Sequence, residues 1–258
     1  MSPDPHGETT EITPARTRPA PRPAFVTTHW SRVLTANRAD TTQSRDALEQ
    51  LCRVYWFPLY AFVRRRGYSP EDAQDLTQEF FARLLERQWL ARADQARGRF
   101  RTFLLTAMER FLANEWDKVR AQKRGGGLPA LPLQLDTAET RYGGQVADAR
   151  TPEQSFERRW AIALLDEVLR RLETEQQSEG KAAQFAALKP CLVGDRTSLP
   201  YAQIAPTCGM TEGAVKVAVH RLRQRYRELL RLEIAQTVAS EEDIEAEMRH
   251  LFNVLAEQ

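Results

Sequence analysis

Residues 198–231 constrain the fold of this chain more than any other segment, because their pattern predicts a short helix, a tight turn and a longer helix. Ala205 provides the small side chain that two closely crossing helices need at their contact. Gly209 follows four residues later, where a residue without Cβ adopts positive φ at little energetic cost. Thr211 is suited to cap the second helix, whose inner face begins at Val215. This spacing is the helix-turn-helix pattern.

The outer face of the predicted second helix carries the residues that a recognition helix presents to base edges in a DNA major groove. These candidate DNA contacts are Thr211, Glu212, Gly213, Lys216, Val217, His220, Arg221 and Arg223. Residues 216–231 contain six Lys or Arg residues against one Glu, and this excess favours a phosphate backbone as partner. A solvated basic surface is the plain alternative, but it leaves the spacing of alanine, glycine and valine unexplained.

Length and charge distribution narrow the class of protein further. With 258 residues the chain accommodates two modest domains, and its net charge of +2 conceals a strong segregation of charge. Residues 233–258 contain seven acidic residues against one arginine, directly after the basic helix. Three widely spaced cysteines without a CxxC pair indicate free thiols in a reducing compartment. No apolar run reaches the length of a bilayer span and no signal-like segment opens the chain, so a cytoplasmic location without membrane contact is expected.

Helical periodicity dominates the rest of the sequence, and no segment alternates like a half-buried strand for long. Residues 1–24 are rich in Pro, Thr and Arg and predict a disordered leader. Residues 25–127 predict a first helical domain that ends at three consecutive glycines, and residues 128–150 predict a flexible linker. Residues 151–232 predict a second helical domain with the helix-turn-helix, and residues 233–258 an acidic helical extension. The expected fold is all-α, with two helical domains joined by a flexible linker.

Two helices of the first domain have clear sequence signals. Ser69 and Pro70 predict the start of a helix that runs to about Gln88, with acidic residues near its positive dipole end. Phe100 opens the most regular amphipathic run in the protein, which turns basic toward its end and exposes polar side chains, Arg101 and Asn114 among them. In the helix before these, a proline at position 58 predicts a kink or a restart.

The order of these motifs resembles the sigma factors of RNA polymerase, in particular the extracytoplasmic-function group of the sigma-70 family. Residues 69–87 (SPEDAQDLTQEFFARLLER) are similar to the helix of that family that binds the polymerase clamp. Residues 98–120 (GRFRTFLLTAMERFLANEWDKVR) resemble the helix that engages the minus-10 promoter element. Residues 201–230 (YAQIAPTCGMTEGAVKVAVHRLRQRYRELL) resemble the helix-turn-helix that contacts the minus-35 element. In this order, with a linker between them, the three segments are far more specific for this family than any one of them alone.

The resemblance implies partners and side-chain roles. The partners are core RNA polymerase and promoter DNA, and an anti-sigma factor or another regulatory protein would be compatible with them. The polymerase-binding residues would be Asp72, Asp75, Leu76, Gln78 and Glu79. Residues 91–99 would form a loop that captures a flipped promoter base. The contacts to the minus-10 strand would be Arg99, Arg101, Asn114, Lys118 and Arg120.

The expected function is that of a promoter-specificity subunit that directs transcription initiation, and not that of an enzyme. The four histidines are scattered and no HExxH, P-loop or metal-spaced cluster is present, so no catalytic residue, metal or cofactor is expected. The alternative is a stand-alone helix-turn-helix regulator with a sensing N-terminal domain, which would bind DNA tightly without polymerase. The acidic C-terminal helix has two open roles, as a brake that competes with DNA for the basic recognition helix or as a structural cap.

Overall fold

The computed structural model describes residues 42–85, 99–121, 142, 149–193, 200–238 and 240–256. Side chains are described for these residues except 42–51, 85, 117–121 and 193. Every regular element in that part of the chain is a helix, which confirms the predicted all-α fold. The predicted leader, the base-capture loop apart from Arg99, and most of the predicted linker lie outside the described residues.

The described helices follow one another along the chain and are numbered here in that order. They are α1 (Thr42–Arg65), α2 (Pro70–Leu85), α3 (Phe100–Ala121), α4 (Pro152–Ser178), α5 (Ala182–Leu188), α6 (Pro190–Val193), α7 (Tyr201–Cys208), α8 (Glu212–Ala235) and α9 (Glu241–Ala256).

Local chemistry sets where the helices begin. At α2 the Ser69 Oγ accepts a hydrogen bond from the Asp72 backbone N–H at 3.1 Å, directly before Pro70, as the sequence predicts. At α4 a capping box forms, in which the Gln154 N–H donates to Thr151 Oγ1 at 3.2 Å and the Thr151 N–H donates to Gln154 Oε1 at 3.0 Å.

Helix α1 continues through Pro58, so of the predicted kink or restart the restart is wrong and the kink stays a prediction. A proline inside a helix removes one backbone hydrogen bond, but the Pro58 ring and its neighbours Leu59 and Tyr60 are buried. Tertiary packing of this apolar face provides most of the stability of such a helix, and here it outweighs the local cost.

One continuous apolar core joins the helices that the sequence assigns to two domains. Helix α4 packs along α1, where the Trp160 Nε1–H donates to the Tyr55 hydroxyl at 3.2 Å. Helix α2 meets α3 through Phe80 and Phe111, whose ring centroids lie 5.8 Å apart in an edge-to-face arrangement. Because α4 contacts α1 so extensively, the division of the chain into two domains at residues 128–150 stays a prediction.

The acidic C-terminal helix α9 packs against α4 and α8. Its buried residues are Ile244, Glu247 and Leu251, at the helical spacing of three and then four residues. The α9 helix therefore belongs to the same folded body as the helix-turn-helix and reaches the first part of the chain through Glu247.

Candidate nucleic-acid interface

The tight turn between α7 and α8 has the geometry that the sequence predicts. Gly209 lies in the left-handed region at φ +61° and ψ +33°, and the Met210 N–H donates to the Ala205 carbonyl at 3.0 Å. Thr211 Oγ1 then accepts a hydrogen bond from the Ala214 N–H at 3.3 Å and caps α8. Buried Ala205 and Val215 lie on the two sides of this turn, so α7 is held firmly against the start of α8.

The face of α8 that points away from the core carries most of the predicted base contacts. Val217 is 50% exposed, which leaves an apolar side chain in solvent beside Lys216 and His220. A methyl group in this position suits the C5 methyl of thymine, and its polar neighbours suit base edges or phosphates. The predicted contacts that are exposed are Thr211, Glu212, Gly213, Lys216, Val217, His220 and Arg221.

Farther along α8 three arginines are held by the protein itself, whereas Arg227 is exposed. Arg223, the remaining predicted contact, is half-buried and donates to the Cys191 carbonyl at 2.7 Å. Arg225 donates to both carboxylate oxygens of Glu175, at 2.9 and 3.0 Å. Hydrogen bonds with Glu175 and then Glu228 raise the pKa of the Arg225 guanidinium above its ordinary value. Arg231 pairs with Glu245 of α9. The exposed basic side chains of α8 outside these pairs are Lys216, Arg221 and Arg227, so fewer cations are available to a phosphate backbone than the sequence predicts.

The candidate polymerase face on α2 is only partly exposed. Asp72 and Asp75 lie in solvent, and Leu76 is half-buried. Glu79 is half-buried and pairs with Arg83, which also bonds the Glu115 carboxylate at 2.7 Å. Gln78, which was predicted to contact polymerase, is buried, because α2 packs against both α1 and α3 and these helices cover more of its surface than its apolar stripe.

The two ends of the candidate minus-10 face on α3 differ in their exposure to solvent. Asn114 is exposed, and Trp116 beside it is 58% exposed. Lys118 and Arg120 lie in the last turns of α3, but their side chains are outside the described residues. At the start of the helix the predicted exposure of Arg101 is wrong, since this side chain is buried among residues of α4 and α9.

A model of one protein family, described as sigma-70 region 2, matches residues 57–123. The chain contains a sigma-70 region 2 domain. The matched segment runs from the second half of α1 to just beyond α3 and makes up about a quarter of the chain. It includes every predicted polymerase-binding and minus-10 residue, whereas the predicted minus-35 residues lie outside it. Searches of curated proteins and of solved structures found no match.

Buried ion pairs connect the region 2 domain to the C-terminal helix. Arg101 is 4% exposed, and its Nε donates to Glu247 Oε1 at 2.6 Å. Arg99, half-buried beside it, places Nε 2.8 Å from Glu247 Oε2. The Arg101 guanidinium also contacts Glu157 of α4 and lies over the Trp160 ring, 5.0 Å from its centroid. We call Arg99, Arg101, Glu157 and Glu247 the Glu247 cluster.

Opposing effects set the charge state of Arg101. Burial alone would lower the pKa of its guanidinium, but the hydrogen bond with Glu247 and the negative charge of Glu157 more than offset this, so its pKa lies above its ordinary value. Arg101 therefore carries a full positive charge inside the protein. Such a charge is stable there only with its carboxylate partners in place.

The sequence contained one signal for this cluster that the predictions did not use. Glu247 lies three residues after Ile244 and four before Leu251, and so on the apolar face of α9. A carboxylate in the middle of an apolar stripe indicates a buried ionic partner, although it does not identify Arg101, 146 residues earlier in the chain.

Neither metal binding nor membrane crossing has a candidate site among the described residues. No group of three or more His, Cys, Asp or Glu side chains there is arranged to hold a metal ion. No helix in the same residues is both long and apolar enough to cross a membrane.

Proposed function

We propose that this chain is an RNA polymerase sigma factor of the extracytoplasmic-function group, which directs promoter recognition and transcription initiation. The observation that carries the proposal is the sigma-70 region 2 match over residues 57–123. A region 2 domain is the part of these factors that binds core RNA polymerase and promoter DNA. The exposed recognition surface on α8 supports the same function, because it offers a second DNA contact in the same chain.

The polymerase contact is assigned to the exposed edge of α2. Asp72 and Asp75 give this edge a negative charge, and Leu76 adds a partly exposed apolar side chain next to them. An acidic edge with one apolar contact suits a basic groove on core polymerase, since complementary charge sets register and accelerates association. Glu79 lies at the border of this edge, where its aliphatic stem and its carboxylate would add to the contact with polymerase.

The minus-10 contact is assigned to the far end of α3. Trp116 offers an exposed aromatic ring on which an unstacked base can lie, and Asn114 next to it can donate and accept hydrogen bonds. Lys118 and Arg120 follow within two turns and would neutralise phosphates of the opened strand. Together these residues would form a surface suited to single-stranded DNA.

The minus-35 contact is assigned to the first half of α8, with Lys216, Val217 and His220 toward the bases and Arg221 toward the backbone. Two modest DNA contacts gain overall affinity when polymerase holds them together, because the second contact then forms within one complex. The free protein should accordingly bind promoter DNA weakly.

A gel-shift titration with promoter fragments, with and without core polymerase, distinguishes a sigma factor from a stand-alone regulator. For a sigma factor we expect a specific shift that needs polymerase and only weak, salt-sensitive binding by the chain alone. Tight and sequence-specific binding by the chain alone, unchanged by polymerase, would support the regulator instead.

A further inference from the structure

We propose that a groove between helices α5 and α8 binds a small aromatic carboxylate, and that the bound ligand competes with promoter DNA for the recognition face of α8. The side chains that define this α5–α8 groove are Gln184, Phe185 and Leu188 of α5 with Ala214, Val217 and Arg221 of α8. Binding of the ligand stands on the groove alone, whereas its effect on promoter DNA rests on the proposed function.

The α5–α8 groove has the size and the lining of a site for a small molecule. Its volume is about 570 Å³, and ligand sites in proteins typically measure about 300–1,000 Å³. Buried Phe185, Leu188 and Leu222 contribute to its lining. The short side chains of Ala214 and Ala218 on α8 leave the space that a planar ring needs. The groove therefore suits a ligand with an apolar, flat body.

A weak hydrogen bond in the groove indicates what else the ligand should carry. Gln184 Nε2 donates to Met210 Sδ at 3.0 Å, and both residues line the groove. Because a thioether is a weak acceptor, this amide would gain a stronger hydrogen bond from an oxygen atom of a ligand. The sulfur in turn makes favourable contacts with aromatic rings. The pair therefore matches a ligand that combines an aromatic ring with an oxygen acceptor.

The charges at the groove favour a carboxylate as this acceptor. Lys181 Nζ, at the rim, lies 2.7 Å from the Glu179 carboxylate, and Arg225 donates to Glu175 at 2.9 and 3.0 Å. Arg221 is exposed, and no acidic side chain in the described part of the chain forms an ion pair with it. A guanidinium binds a carboxylate through two parallel hydrogen bonds, so Arg221 is the expected anion contact.

The groove overlaps the face of α8 that is assigned to the minus-35 element. Gly213, Val217 and Arg221 line the groove and are also predicted DNA contacts. A ligand that covers Val217 and Arg221 keeps both side chains from entering a major groove. Ligand and promoter should therefore weaken each other's binding by the same factor.

Titration of the full chain with 2-naphthoate, followed by ligand-observed NMR, tests the site. For a ligand of about thirteen non-hydrogen atoms we expect a Kd of about 1 mM or lower. 2-Naphthalenemethanol, which has the same rings without the charge, should bind about fivefold more weakly. Decahydro-2-naphthoate keeps the charge without the aromatic ring and should bind about threefold more weakly. No binding of 2-naphthoate, or equal binding of the three compounds, would overturn the inference.

Arg221→Gln tests the anion contact, with Arg227→Gln as the matched control. Both arginines are exposed on α8, but only Arg221 lines the groove. Arg221→Gln should weaken 2-naphthoate binding about fivefold, which is the effect of removing the charge from the ligand. Arg227→Gln should change the Kd by less than about twofold. Equal effects of the two variants would show a general attraction to the basic helix and would sink the proposed site.

Ala218→Leu tests where the ring lies, with Ala186→Leu at an exposed position of α5 as the control. Leucine at position 218 fills the groove and should abolish binding, whereas leucine at position 186 should leave it unchanged. Circular dichroism checks that both variants fold. If Ala218→Leu loses helical content, Gln184→Leu takes its place, because it removes the amide donor and should weaken binding about threefold. Undiminished binding by the folded variant would count against the inference.

Gel shifts with core polymerase and a promoter fragment measure the competition with DNA. With 2-naphthoate at about ten times its Kd, the chain concentration for a half-maximal shift should rise about tenfold, and no further than deletion of the upstream element raises it. Sodium acetate at the same concentration controls for ionic strength. An unchanged midpoint despite binding would overturn the inference that ligand and promoter compete.

These outcomes separate the inference from the proposed function. If the chain does not associate with polymerase, the proposed function fails, while the titration still decides whether the groove binds the carboxylate. If the chain directs transcription but does not bind 2-naphthoate, the inference alone fails. Loss of polymerase association in Ala218→Leu, without carboxylate binding by the wild-type chain, would assign the groove to a protein partner and overturn the inference as well.

Discussion

At the scale of single residues, the exposed face of α8 makes a specific prediction about base recognition. Lys216→Ala and His220→Ala should each reduce discrimination at one or two base pairs of the upstream element by about 1–3 kcal/mol, because they remove a contact to base edges. Transcription from a library randomised in the minus-35 element measures this. Lys181→Ala, which removes the same charge from an exposed site before α5, is the control. Selected sequences identical to those of the wild-type chain would show that neither side chain contacts bases.

Tyr226 gives a prediction about stability and pH. Its hydroxyl donates to the Leu165 carbonyl at 3.1 Å, and burial, with the nearby charge of Asp166, raises its pKa to about 12 from an ordinary value of 10.0. Below pH 10 the phenol is neutral whether the chain is folded or unfolded, and its hydrogen bond contributes fully. Between pH 10 and 12 only the unfolded chain ionises, so this contribution falls as pH rises.

Tyr226→Phe should therefore be less stable than the wild-type chain by about 1 kcal/mol at pH 8 and should lose less stability between pH 10 and 12. Urea unfolding at pH 8, at pH 10 and at pH 12 measures the free energy of unfolding of both proteins. A constant difference between the two proteins across that range would contradict the raised pKa.

At the scale of elements, the turn before α8 allows a matched pair of glycine substitutions. No heavy atom lies within 4 Å of a Cβ added at Gly209 or at Gly213, so neither substitution creates a clash. Gly209→Ala should destabilise the fold by about 1 kcal/mol because alanine is strained at φ +61°. Gly213→Ala should stabilise it by about 0.5–1 kcal/mol because it replaces a helical glycine.

Chemical unfolding of the two glycine variants gives both values. An opposite sign for either variant would contradict the helix-turn-helix geometry. Since Gly213 lies on the predicted base-contact face, its substitution should also weaken binding to the upstream element although the fold becomes more stable, which separates the two effects.

The starts of the helices were predictable because each depends on a few adjacent residues. Ser69 with Pro70 opens α2, and Thr211 caps α8, where the sequence predicts these helices to begin. The continuation of α1 through Pro58 was not predictable from local chemistry. It depends on burial of the neighbouring side chains by helices far away in the sequence.

At the scale of the whole molecule, the sequence predicts which surfaces contact DNA but not how they are arranged. The exposed residues of α8 follow from helical periodicity and from the glycine turn, both local signals. Arg101 was assigned to DNA because its segment resembles the minus-10 helix of sigma factors, yet it is buried against Glu247. The packing of α4 on α1 and the Glu247 cluster are long-range contacts, and a single sequence does not state which apolar faces pair.

Transcription reconstituted from purified components tests the central claim most directly. Core polymerase, the full chain and a promoter library randomised in both elements are combined, and the run-off products are sequenced; reactions without the chain serve as the control. If the chain is a sigma factor, transcripts should appear only when it is present. Their promoters should share an upstream duplex element and a second element where the DNA strands separate. A chain that never associates with polymerase, or products identical with and without it, would contradict the claim.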